Sequence, residues 1–167
     1  MPCVLRTASS VRSTLPPGYR VAVAQTGGVG VLVVGAAIVS DGRLLAAQRS
    51  SPPALAGLWE FPGGKVEPRE TPEAALVREC DEELGVAIEV GGLLGVIAVP
   101  VGTLHVYRAT LTAGEPVARE HAALRWLAVD ELFDVPWIPV DLELVQQLAH
   151  ELQAAGQFGP RKGPPHV

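Results

Sequence analysis

Between residues 71 and 86 the sequence spells out a helix with both ends marked and two faces of opposite character. Thr71-Pro72 is a start: the Thr side chain can cap free amide groups, and Pro fits the first helical position, where its missing N–H costs nothing. Gly85 is a stop, because glycine readily adopts the left-handed conformation that closes a helix. One face carries Leu76, Val77, Cys80 and Leu84 and is expected to pack on a sheet. Another carries Glu79, Glu82 and Glu83 at i, i+3 and i+4, so three carboxylates share one side. Like charges repel at that spacing, and they lie toward the C-terminal end, where the helix dipole disfavours anions. Arg78 alone cannot neutralise all three. A hard divalent cation with oxygen ligands, Mg²⁺ or Mn²⁺, would resolve the conflict. A solvated acidic face beside an ordinary surface arginine is the plainer alternative, and the helix by itself does not decide between them.

The sequence around the helix reads as strands. Val31 to Val39 is a continuous apolar, Val-rich run suited to a strand buried on both faces. Asp41-Gly42 makes a tight turn, and Arg43 to Arg49 returns as the second strand of a hairpin. Ser50 to Gly57 is a loop, with Pro52 and Pro53 denying it strand pairing, and Leu58 to Lys65 is rich in Gly and Pro. Strand-like segments follow near 86–98, 103–112 and 122–128. Asp141 then opens a last helix whose Leu144, Val145, Leu148 and Leu152 fall on one stripe. No internal repeat is visible. A mixed sheet with helices packed on it, an α/β sandwich, is the natural assembly. The expected organisation is one domain over 26–155, an unstructured N-terminal extension over 1–25 and a flexible, Pro-containing tail over 156–167.

Composition narrows the partners. A net charge of −5 and a pI near 5.3 argue against a nucleic-acid polymer, which needs a basic surface. A small anionic ligand remains compatible, held by one metal ion and a few local cations. The longest apolar run, Val29 to Val39, is too short to span a bilayer, so no membrane partner is expected. Cys3 and Cys80 lie far apart without metal-type spacing, which fits a reduced, cytoplasmic protein. Arg6, Arg12 and Arg20 in an acid-free N-terminus weakly resemble a transit peptide but lack its amphipathic periodicity.

Gly64, five residues, Glu70, seven residues, then Arg78-Glu79-Cys80-Asp81-Glu82-Glu83-Leu84-Gly85-Val86 matches the Nudix box at every fixed position. The chain therefore resembles the Nudix hydrolases, from about Val31 to about Leu152. Cys80 stands where that family usually has a larger aliphatic residue, and it packs as a small hydrophobe. The resemblance implies an α/β/α sandwich with a mixed sheet. It implies Mg²⁺ (Mn²⁺ as substitute) held by Glu79 and Glu83, with Glu82 a ligand or helper and the Gly64 carbonyl a further ligand. Arg78 would orient the helix carboxylates and Glu70 would support the loop by hydrogen bonding. Such a cation bridging phosphate oxygens offsets their charge while an activated water attacks phosphorus.

Ala47-Gln48-Arg49 followed by Gly57-Leu-Trp-Glu-Phe-Pro-Gly-Gly-Lys65 is similar to the MutT-like branch, which takes oxidised and other nucleoside triphosphates to the monophosphate and pyrophosphate and so cleans nucleotide pools ahead of DNA repair. By position Arg49 resembles an arginine that reaches the base or phosphates, or it is a solvated strand-end residue. Lys65 would face phosphate, or be a surface lysine. Glu120, six residues before Trp126, is placed like a loop glutamate acting as metal ligand or catalytic base, or it is one more loop charge. His105 and His121 read as structural or exposed.

In Trp137-Ile-Pro-Val-Asp141 the family places a base-reading side chain. An ionised Asp141 only accepts, which suits the exocyclic amino group of cytosine more than 8-oxoguanine. Asp141 could instead, or also, cap the last helix. Phe61, Trp59 and Trp137 could stack on a base, with core packing the default for each. Two other readings remain: an enzyme for another diphosphate such as ADP-ribose, and a Nudix-fold binding module without catalysis. Retention of Glu79, Glu82 and Glu83 weighs against the second. Oligomeric state, monomer or homodimer, is not readable.

Overall fold

The computed structural model describes residues 30–154. The expected N-terminal extension, its Cys3 and the C-terminal tail lie outside the described residues.

The chain opens with β1 (Val31–Ser40) and β2 (Arg43–Gln48). Asp41 and Gly42, with φ of 47° and 71°, form the two-residue turn between them, whose left-handed backbone matches the twist of a hairpin. A two-residue β3 (Trp59–Glu60) precedes α1 (Pro72–Leu84). Then come β4 (Ala87–Val99), β5 (Gly102–Ala113), β6 (Ala123–Leu127), a 3₁₀ turn at Val129–Glu131 and α2 (Leu142–Ala154). The sheet runs β3-β2-β1-β5-β4, with β6 also on β2. It is mixed, since β1 and β5 are parallel while β1–β2 and β4–β5 are antiparallel. The apolar run 31–39 thus becomes an interior strand, as its lack of polar alternation implies.

Alternation along the strands divides the core in two. Val34, Ala36 and Ile38 of β1, with Leu45, Tyr107 and Ala109, meet Ala75, Leu76, Cys80 and Leu84 of α1. Ala37 of β1, with Leu44, Ala46, Leu104 and Val106, meets Leu144, Val145, Leu148 and Leu152 of α2. Helices therefore cover both faces, the expected α/β/α arrangement.

β1 pairs with β2 only beside the turn, at Val39–Leu44 and Ser40–Arg43. Further back, its edge is taken by residues 62–66. The Val34 amide donates to the Gly64 carbonyl (2.8 Å), Ala36 to Pro62 (2.8 Å), and Val66 returns a bond to Leu32 (2.9 Å). This pairing fixes the loop that leads into α1.

One expectation fails. Val77 does not pack on the sheet; it is 41% exposed, and Ala75 takes its place. At about 100° per residue, the buried arc of α1 runs from Ala75 to Leu84, and Val77 falls just outside it. Glu79 and Glu83 fall inside that arc. They project toward the fold, not toward solvent, and Glu82 lies at its outer edge.

Candidate active site

Room for the inward glutamates comes from the turn at Gly63-Gly64. Gly63 has φ of 150°, and a Cβ there would overlap the Val34 carbonyl. A Cβ on Gly64 would occupy the space of the Glu79 carboxylate. Gly63 thus permits close approach of the turn to β1, and Gly64 its close approach to a carboxylate. The Gly63 amide donates to Glu83 Oε2 (3.2 Å). Burial, with the Glu79 carboxylate adding to it, pushes the Glu83 pKa up to about 7, against the opposing pull of His121 and the Gly63 amide.

Arg78 is the hub on the outer side. Its guanidinium donates to Glu70 Oε1 (3.0 Å) and Oε2 (3.1 Å), to Glu82 Oε2 (3.1 Å) and to the Lys65 carbonyl (3.1 Å), and pairs with Glu79 Oε1 (3.0 Å). Glu70 also accepts from the Glu67 amide (3.1 Å), and the Arg78 guanidinium holds its carboxyl below the usual carboxylate range. Arg78 and Glu70 thus tie α1 to the loop before it.

A cleft of about 500 Å³ opens over the Gly63-Gly64 turn. Its charged lining is Glu83, Glu120 and Lys65 with the pair Arg49–Glu60, joined at 2.6 Å. Arg49, just past the end of β2, also donates from Nε to the Ser51 carbonyl (2.8 Å), so it is built into the wall and is not a solvated strand end. Lys65 is exposed at the rim. Val33, Leu104, Ile138 and Val140 give the cleft an aliphatic wall, and Asp141 also lines it.

Asp141 is buried, and its Oδ2 accepts from the Phe61 amide (3.1 Å). Its carbonyl accepts from Val145, so the residue stands at the start of α2, but its carboxyl reaches across to the strand that borders the cleft. Burial pushes that carboxyl up to about 7, against the Phe61 hydrogen bond. Phe61 touches the cleft from the core, where its ring lies 5.5 Å from that of Trp137. Trp59 and Trp137 are core residues, leaving neither ring free to stack on a base.

Two cleft residues escaped the sequence reading. Glu60 sits in a strand too short to show a periodic signal. The His121 side chain is 6% exposed, with Nε2 at 3.5 Å from Glu60 Oε1 and Nδ1 without a partner among the described residues. Burial alone would lower its pKa, but Glu60 and Glu83 outweigh burial and raise it. His105 is half-buried on β5, outside the cleft.

The three box glutamates do not meet at one point: Glu82 is turned to Arg78 and 55% exposed, and no three metal-binding side chains converge among the described residues. Glu79 and Glu83, both facing Gly64 and its turn, with Glu83 disfavoured as an anion, form an all-oxygen donor pair that fits a hard divalent cation completed by waters. The Gly64 carbonyl already accepts from Val34, which leaves one lone pair for an ion.

A family model described as NUDIX domain matches residues 28–148. A Mycobacterium tuberculosis protein provisionally named 8-oxo-dGTP diphosphatase 2 is 46% identical over 129 residues, covering 74% of this chain and 92% of its own. The CTP pyrophosphohydrolase of Escherichia coli is 41% identical over 118 residues, 68% of this chain and 87% of its own. Among solved structures, a MutT NUDIX hydrolase from Burkholderia pseudomallei superposes with a TM-score of 0.61 at 36% identity, over 71% of this chain and 97% of that one.

Proposed function

This chain belongs to the NUDIX family, and on that premise we propose that it is a Mg²⁺-dependent pyrophosphohydrolase of nucleoside triphosphates, with oxidised and cytosine nucleotides as its substrates. One observation carries the reading: Glu83 and the Gly63-Gly64 turn, which Glu79 also faces, line a cleft that has aliphatic walls and, among the described residues, one buried carboxyl, Asp141. A triphosphate with its cation suits the charged groups and a base the aliphatic ones. The names of the two relatives at 46% and 41% identity support the same substrate class.

When bound, the cation supplies charge neutralisation at the phosphates and activation of water. The protein's residues do the rest. Arg78 and Glu70 hold the helix against the loop, so the Glu79 and Glu83 carboxylates stay aimed at the turn. Lys65 and Arg49 offer positive charge along the cleft to the phosphates. Glu120, at the cleft mouth, or Glu82 takes the proton of the attacking water. Water oxygen bonds to phosphorus, one P–O anhydride bond breaks, and monophosphate and pyrophosphate leave.

The base end rests on Asp141. As a carboxylate it accepts from an exocyclic amino group; as a neutral acid it also donates. A carboxyl pushed to about 7 is present in both forms near neutrality, which supports both classes of base. We place the enzyme in the cytoplasm as a nucleotide-pool sanitiser; Cys80, a buried free thiol, is compatible with a reducing compartment.

The test is pyrophosphate release with Mg²⁺ from 8-oxo-dGTP, dGTP, dCTP, 5-methyl-dCTP, CTP and ADP-ribose, with Glu82→Gln and Glu83→Gln alongside. Release from the triphosphates that falls by at least about a hundredfold in Glu83→Gln supports the proposal. Turnover of ADP-ribose alone would replace the substrate class, and no release from any compound would sink the enzymatic reading.

A further inference from the structure

The last turn of α1 carries no basic residue, although its carboxylates and its dipole both call for one. Positive charge arrives from a distant segment. Arg119 Nη1 donates to the Asp81 carbonyl (2.7 Å) and more distantly to Glu82 (3.4 Å), while its backbone amide donates to the Glu83 carbonyl (3.1 Å). Two residues earlier, the Val117 amide donates to the Leu84 carbonyl (3.0 Å). The last carbonyls of the helix, Glu82 to Leu84, are thus capped from outside by residues 117–119, and Asp81, which already accepts from the Gly85 amide, gains a second donor. The guanidinium lies over Gly85 at the position a Cβ there would need. Gly85 is therefore required twice, once for its left-handed φ of 69° and once for the room it leaves Arg119.

The same segment continues straight into the cleft. The residues after Arg119 are Glu120 and His121, and both line it. On their far side the segment is pinned again: Ser50 Oγ donates to the Glu120 carbonyl (2.8 Å) and the Ala122 amide to the Gln48 carbonyl (2.8 Å). Residues 117–122 form a strap from the C-terminal end of α1 to the end of β2, with two cleft residues at its middle.

We propose that Arg119 is a positioning residue for hydrolysis: by docking the strap on the end of α1, it sets Glu120 and His121 against Glu83. This rests on the reading of the cleft as the hydrolytic site. Arg119 touches no substrate. It acts through the residues beside it, so its loss should slow turnover and leave nucleotide binding intact.

A double-mutant cycle tests it, read on the nucleotide that wild type cleaves fastest. Arg119→Ala is expected to lower kcat about tenfold with KM within about twofold, as a small misplacement of a reacting group does. Arg119→Lys, which keeps charge and one donor, should recover part of the rate. Arg119→Ala should slow Glu120→Gln by clearly less than it slows wild type, because the arginine then has only His121 left to position. Independently of activity, amide hydrogen exchange over residues 117–122 should accelerate in Arg119→Ala. A wild-type rate in Arg119→Ala, or a double variant slowed by the product of the single effects, overturns the proposal. Unchanged exchange overturns it as well, even in a protein that cleaves none of the nucleotides, a result that would separately defeat the proposed function.

Discussion

Asp141 illustrates how one side chain can carry two energetic loads. Its carboxyl is buried and, among the described residues, accepts one hydrogen bond, from the Phe61 amide. Raised from 3.8 to about 7, it binds a proton in the folded protein that the unfolded chain has already released. Stability from this group is therefore full below pH 3.8, declines as pH rises toward 7 and is flat above that. Asp141→Asn keeps the acceptor for Phe61 and removes the titration. Unfolding free energies from urea titrations at pH 5 to 8 should fall for wild type by up to about 3 kcal/mol relative to Asp141→Asn; parallel curves would mean the carboxyl is not held neutral. The sequence showed that an aspartate stands before α2. It could not show where the carboxyl turns, because Phe61 lies 80 positions away. His121 and Glu60 were illegible for the same reason: each matters through the other, and neither has a periodic context of its own.

Among the elements, α1 and the turn before it were the most legible. Thr71 accepts from the Ala74 amide (3.1 Å), and Gly85 closes the helix in the left-handed conformation, as the residue types required. The side on which Val77 would lie was misread, since hydrophobicity alone gives a stripe and not its centre. What centred it was the inward pair Glu79 and Glu83, polar residues that a hydrophobic count assigns to solvent. Gly64 makes that pair affordable. In Gly64→Ala the new methyl must displace the Glu79 carboxylate. With no positive φ at this position to strain the backbone, the stability change should stay within about 1 kcal/mol. Turnover should nonetheless fall by about a hundredfold. Urea titration and steady-state kinetics on the same variant check both halves; a loss of rate matched by a comparable loss of stability would point to unfolding instead.

For the whole molecule, the mixed sheet with helices on both faces followed from the order of periodic segments, while the pairing of residues 62–66 with β1 did not, because Gly and Pro carry no strand signal. That pairing is what brings the glutamates and the turn together, and it leaves Glu83 as an unfavourable anion in the cation-free fold. A cation that binds only the folded form must stabilise it in proportion to its concentration, by about 2.7 kcal/mol at a hundred times its Kd. The melting temperature should climb with added Mg²⁺ and stay level in Glu83→Gln. A melting temperature indifferent to Mg²⁺ in wild type would remove the cation from the site.

Strand β1 contributes Val34, Ala36 and Ile38 to the layer under α1 and Ala37 to the layer under α2. It is thus a partition wall. The box glutamates come from the α1 side of it, and Asp141, at the start of α2, from the other. Under the proposed function, heritable change in the α2 layer retunes which base is accepted while the α1 layer stays untouched, so a lineage can diversify its diet without reinventing its teeth.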